Sequence, residues 1–218
     1  MASKKLIRSE ILPYHVTARV NNRERFPLPL AKMWEIFELE CSVMIRVYEA
    51  EIQSFVMMPN HFHMIVTTPT RDLGVVMNPF MSSVTKTANL LAGRTGHLFG
   101  GPYRWSLING TRYFGHAYKY VYRNPVRAGL CEQVEEFPFS TLHGLIGSSP
   151  LQIPLFFTRA ALELGLPAIE ASNQLGWLNR PFPKEAEELI RRGLRKKHFE
   201  SIRDRKTRAI HPLLEQQL

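Results

Sequence analysis

Residues 56–66 read VMMPNHFHMIV, an apolar run that contains His61 and His63 with one residue between them. Pro59-Asn60 is a turn signal, and the residues after it have the composition of a strand. Side chains on a strand alternate between faces, so His61 and His63 are expected on one sheet face, with Phe62 and Met64 on the other. Two imidazoles one pleat apart can hold one metal ion. A lone buried histidine is as readily a core residue satisfied by a hydrogen bond. A second group lies in residues 111–124, TRYFGHAYKYVYRN. At about 100° per residue, Tyr120 and Asn124 share a helix face one turn apart. Tyr118 and Tyr122 point well away from that face. If Asn124 faces a metal, Tyr120 is the phenol placed beside it.

These groups need elements to hold them. Residues 11–22, ILPYHVTARVNN, are rich in strand formers and close on a turn signal. Residues 30–50 place Met33, Ile36, Phe37, Glu40 and Met44 at helical spacing. EIQSFVMMP and HFHMIVTTP are two strands, antiparallel across Pro59-Asn60. Residues 72–96 read as a helix broken near Asn78-Pro79 and stopped by the glycines at 93 and 96. YRWSLING is a fourth strand. Residues 111–124 are a helix that Pro125 is expected to end. The order β-α-β-β-α-β-α predicts an α+β fold, a ferredoxin-like antiparallel four-stranded sheet with helices on one face. After Phe137 the character changes. GSSPLQIP is loop-like, and residues 183–210 read as a charged amphipathic helix. We therefore expect a domain over 1–145 and a C-terminal helical, basic extension over 146–218.

With 218 residues and 44% apolar content, the chain can bury one sizeable core with an appendage. No apolar run approaches the roughly 18 residues of a membrane span, and the first residues lack a signal-peptide core. Cys41 and Cys131 suggest neither a disulfide framework nor a zinc knuckle. A cytoplasmic protein without a membrane partner is the expectation. The net charge of +9 points towards a polyanion. Residues 184–208 hold ten Lys/Arg and five Asp/Glu, so +5 of the +9 lies there.

Taken together, PNHFH on a strand, then GRTGHLF, then YKYVYRNPVRAGL followed by EFPFST, resemble the single-tyrosine HUH transposases. The REP-associated tyrosine transposase branch is the most similar. The likeness spans roughly residues 12–144. HFH alone is common by chance; HFH with Y-x-x-x-N-P-V-R-A-G downstream is specific. The resemblance implies that 1–145 is the catalytic domain and that His61 and His63 bind a divalent metal. It implies that Tyr120 is the nucleophile, and Asn124 the third metal ligand or its close support. The implied partner is single-stranded DNA with hairpin structure, met at the nucleoid by a monomer or homodimer. One position departs from the pattern. Similar proteins usually read Gly-Arg-Tyr-Lys where this chain has Gly101-Pro102-Tyr103-Arg104, so that arginine's phosphate contact would fall to Arg104.

Breaking a phosphodiester requires a nucleophile and neutralisation of the phosphate oxygens. A divalent ion supplies the second as a Lewis acid. Two imidazoles and an amide oxygen suit Mn²⁺ and tolerate Mg²⁺. A free phenol, with a pKa near 10, attacks poorly at neutral pH. Cationic neighbours favour phenolate, and Lys119, Arg123 and Arg127 are the candidates. Attack would leave the DNA 5′-phosphate on Tyr120 and free a 3′-OH. Another strand's 3′-OH could then reverse the step, which is strand transfer. Lys86, Arg94, Arg104, Arg112, Arg123 and Arg127 are expected along the DNA backbone, with Tyr103 and Trp105 as stacking candidates. His15 and His116 are given no role. Two other functions fit the same residues. One is a structured-nucleic-acid-binding module of this fold without catalysis, suggested by Pro102. The other is a metal-dependent phosphohydrolase that uses water.

Overall fold

A computed structural model describes residues 6–166 and 171–200. The first half runs β1 (Tyr14–Arg19), α1 (Leu30–Tyr48), β2 (Glu51–Met58), β3 (His61–Thr67), α2 (Leu73–Leu91), β4 (Arg104–Ile108) and α3 (Thr111–Arg127). Short helices follow: α4 (Thr141–Leu145), α5 (Arg159–Glu163), α6 (Ala171–Asn179) and α7 (Lys184–Gly193). The described chain closes with β5 (His198–Phe199). No helix among the described residues is long and apolar enough to cross a membrane.

The mixed α+β class is as expected, with two corrections to its detail. The sheet has five strands, ordered β2-β3-β1-β4-β5, and not four. The first four pair antiparallel; β5 joins β4 in parallel. Helices cover both faces, and not one. α1 and α2 close one face, where Phe37 packs 5.4 Å from Phe55, 5.6 Å from Phe62 and 5.9 Å from Phe80. α3 closes the other over Val56, Met58, Ile65 and Ile108. The reason is visible in the strands: β2 and β3 bury side chains of both parities, so each face needs a cover.

The segment after Phe137 contributes to this second layer. Leu142, Ala161, Leu178, Ile190 and Phe199, one from each later element, share the core under α3. The FPFST stretch clasps the outer edge of β2. Met57 donates its N–H to the Phe139 carbonyl, and the Thr141 hydroxyl takes the Phe55 N–H at 2.9 Å. Thr141 also meets the Tyr122 hydroxyl at 2.9 Å, tying the edge strand to α3. The charged run from Lys184 does not form one long helix. It stops at Gly193, turns, and enters β5, because β4 offers an unpaired edge; residues 201–218 lie outside the described residues.

Neither expected proline break occurs. Pro79 sits inside α2 and Pro125 inside α3. At Pro125 the cause is local. Proline has no N–H for the Val121 carbonyl. The Asn124 side chain donates its Nδ2 to the Tyr120 carbonyl at 2.8 Å and reaches towards that of Val121 at 3.5 Å. It stands in for the missing donor and lets the helix run on to Arg127.

Candidate active site

The strand pairing puts His61 and His63 on the face covered by α3, and Phe62 and Met64 in the opposite core. The two imidazoles lie with centroids 5.0 Å apart, nearly at right angles. Each is anchored through Nδ1. Asn60 donates its Nδ2 to the Arg23 carbonyl at 3.0 Å, so the atom facing His61 Nδ1 at 2.7 Å is the amide oxygen Oδ1. His61 must therefore donate from Nδ1, leaving a bare lone pair on Nε2. His63 Nδ1 meets His15 Nε2 at 2.9 Å. Burial, reinforced by Arg19 and Arg127, lowers the His61 pKa to about 4. His63 is held well below the usual histidine range, by burial first and then by His15, His61 and the same arginines. Both rings are neutral bases at pH 7.

Tyr120 projects from α3 onto this pair. Its ring stands edge-on to His63 at 5.9 Å and to His15 at 6.3 Å. Arg127, two turns further along α3, donates from a terminal guanidinium nitrogen to the Tyr120 hydroxyl at 3.0 Å, its guanidinium carbon 5.5 Å from the ring centre. Asn124 lies between them on the same face and is buried. Its Nδ2 serves the backbone, which leaves Oδ1 as its free acceptor.

Among the described residues no three or more His, Cys, Asp or Glu converge as a metal site. A divalent ion here would need a different donor. The chemistry of the set meets that need: two neutral imidazoles, each with its Nδ1 already engaged, and one amide oxygen. Such donors fit Mn²⁺ or Mg²⁺.

The expected cations separate. Arg127 is on the phenol. Arg123 is spent on structure, donating to the Leu178 and Asn179 carbonyls at 2.8 and 2.6 Å, where it caps the end of α6. Lys119 turns to Trp177 and Phe182, its ammonium 5.3 and 5.0 Å from their ring centres. Arg104 opens β4 and is exposed opposite Thr17, which itself lies opposite His63, so Arg104 is on the histidine face. Arg112 is exposed in the first turn of α3, and Arg94 in the loop after α2. Lys86 is exposed on α2, in the layer across the sheet from the site. Trp105 is buried in that far core, beside Tyr14, and does not offer a stacking face at the site.

Sequence reasoning missed four contributors. His15 backs His63. Arg19 lies directly opposite His61 in the β1–β3 register and within electrostatic range of Arg104 and Tyr120. From α7, Glu187 holds the Arg127 guanidinium at 3.3 Å, and Arg191 lies within electrostatic range of Tyr120. The alternation YHVTAR places His15, Thr17 and Arg19 on one face, but which strand they face is a matter of non-local pairing.

No family model matches the chain. It is 29% identical over 126 residues to a REP-associated tyrosine transposase of Escherichia coli (strain K12), a match that covers 57% of this chain and 73% of that protein. Its fold is that of a solved REP-associated tyrosine transposase bound to a REP hairpin, with a TM-score of 0.56 and 23% identity. That match covers 70% of this chain and 90% of the other. With the HFH and Y-x-x-x-N elements converging on one sheet face, the chain is similar in sequence to the one REP-associated tyrosine transposase and in fold to the other.

Proposed function

We propose that the protein nicks and rejoins single-stranded, hairpin-bearing DNA through a 5′-phosphotyrosine link to Tyr120, with a divalent ion held by His61, His63 and Asn124. The observation that carries this reading is the contact of Arg127 with the Tyr120 hydroxyl at 3.0 Å, on a ring set edge-on against His63. That contact sets a cation on the oxygen that would attack phosphorus. A bound divalent ion would supply Lewis-acid neutralisation of the scissile phosphate.

The remaining steps belong to the protein's own groups. His61 offers its Nε2 lone pair directly, and His63 offers one once its hydrogen sits on Nδ1. Arg19, Arg104 and Arg127 set positive charge around the phenol, where a phosphodiester would be drawn and its strand oriented. Attack by the Tyr120 oxygen forms the O–P bond as the bond from phosphorus to the 3′ oxygen breaks. The phenolic proton leaves to solvent, and the leaving 3′ oxygen takes one up. The covalent link retains the phosphodiester, so the 3′-OH of a second strand reverses the reaction and joins the ends.

The test is a denaturing gel with labelled hairpin oligonucleotides and Mn²⁺ or Mg²⁺. Wild type should yield a metal-dependent labelled band at the protein's mass. His63→Ala and Tyr120→Phe should not. An adduct that persists in Tyr120→Phe would remove Tyr120 from the chemistry. Hairpin binding with no adduct from wild type would favour a module that binds without cutting.

A further inference from the structure

Behind His63, on the central strand β1, lies a second buried imidazole that the proposed chemistry does not use. His15 is 2% exposed, and its ring stacks on His63 with centroids 5.2 Å apart and planes 21° from parallel. The two rings meet at a single nitrogen pair, His15 Nε2 and His63 Nδ1, at 2.9 Å. His15 Nδ1, the other nitrogen, is buried and without a hydrogen-bond partner. Resting on the metal-site reading above, we infer that His15 is a positioning residue: its Nε2 accepts the Nδ1–H of His63 and so presents His63 Nε2 bare to the ion.

Counting hydrogens decides which ring donates. Both rings are neutral in this burial, so each carries one, and only one of the two facing nitrogens can hold it. If His63 binds through Nε2, its hydrogen must sit on Nδ1. His15 Nε2 is then the acceptor, and the hydrogen of His15 sits on the unpartnered Nδ1. In the opposite arrangement, His15 donates from Nε2, His63 carries its hydrogen on Nε2, and His15 Nδ1 is only a buried lone pair. An unpartnered buried donor is less tolerated than an unpartnered acceptor. The free protein therefore holds the pair in the second arrangement, and an ion at His63 Nε2 reverses it. The proton count does not change. The Nε2 proton of His63 passes to solvent, that of His15 passes to His63 Nδ1, and His15 Nδ1 takes one from solvent.

Ring ¹⁵N spectra of the full chain, with and without diamagnetic Mg²⁺, test this directly. The hydrogen should sit on Nε2 in both rings of the free protein, and on Nδ1 in both once Mg²⁺ is added. A His15 ring that keeps its tautomer while that of His63 changes would overturn the inference. Mn²⁺ titrations followed by electron paramagnetic resonance give the second arm. His15→Phe should weaken Mn²⁺ binding about tenfold or more. His15→Gln, whose amide oxygen can replace Nε2 as acceptor, should restore it, and ion-free hairpin binding should be unchanged in both. If His63→Ala abolishes Mn²⁺ binding while His15→Phe matches wild type, His15 has no such role. If His63→Ala also binds as wild type does, the metal-site reading fails, and the inference with it. Should His15→Phe not fold, His15→Gln and the wild-type spectra still decide.

Discussion

On the sheet face beneath α1 and α2, the strands contribute Phe55, Phe62, Met64 and Trp105, which lock with Phe37 and Phe80 into an apolar layer. On the opposite face the same strands contribute His15, Thr17, Arg19, His61 and His63 beneath α3. One strand, β3, serves both, alternating Phe62 and Met64 with His61 and His63. The first layer is held chiefly by apolar burial and is tolerant of shape-conserving change. The second adds to its own apolar core a set of specific polar contacts at the histidines and Tyr120. A sheet closed on one side by apolar packing becomes a rigid mount for reactive groups on the other.

If that division is real, substitutions on the two faces should fail in different ways. Tyr120→Phe should be the most damaging to chemistry and among the least to folding. Covalent adduct formation should fall by roughly 10⁴-fold or more, as for loss of a nucleophile, with the melting curve almost unmoved. Phe62→Ala, one residue from each histidine but facing away, should do the reverse. It should cost about 3–5 kcal/mol in denaturant unfolding, and the molecules that remain folded should still form adduct. A Phe62→Ala protein of normal stability and no activity would dissolve the distinction. Arg127→Gln should lower the adduct rate by roughly 10²-fold, the scale for losing one charged donor at a reacting oxygen. An unchanged rate would mean that Arg127 serves only the contact with Glu187.

The smallest effect is expected at Lys119, on α3 but outside the site. Burial, with Arg123 and Arg180 nearby, lowers its pKa to about 8. The unfolded chain, with a lysine pKa near 10.4, therefore binds more protons between those values. The wild-type protein should gain stability as pH rises through that window. Lys119→Met should be at least as stable as wild type at pH 7, and its advantage should shrink towards pH 10. A difference curve that is flat between pH 8 and 10 would show that Lys119 is not desolvated.

Much of this was legible before any fold was known. The Pro59-Asn60 turn and the alternation that separates His61 and His63 from Phe62 are local signals, and the strands obey them. The face shared by Tyr120 and Asn124 comes from helical spacing. What stayed hidden is non-local or compensatory. His15 and Arg19 become site neighbours only through the register of β1 on β3. Pro125 reads as a stop because the rule for proline omits a side chain such as Asn124 that supplies the missing donor. Arg123 reads as a free cation because nothing local announces the two carbonyls at the end of α6. The fifth strand is two residues long, too short for any periodicity to register.

That short strand has a consequence for how the molecule is made. Leu107 on the outer edge of β4, and Asn109 just past its end, donate their backbone N–H groups to the carbonyls of Lys197 and Phe199. These partners lie about ninety residues further along the chain, so they leave the ribosome well after β4. Until they arrive, the edge WSLI stands open, apolar and unpaired, the kind of strand that recruits neighbouring chains. Chains cut short before residue 197 would therefore be expected to accumulate as aggregates rather than as smaller folded proteins. A stop codon between β4 and residue 197 would be a mutation of solubility before it was one of catalysis.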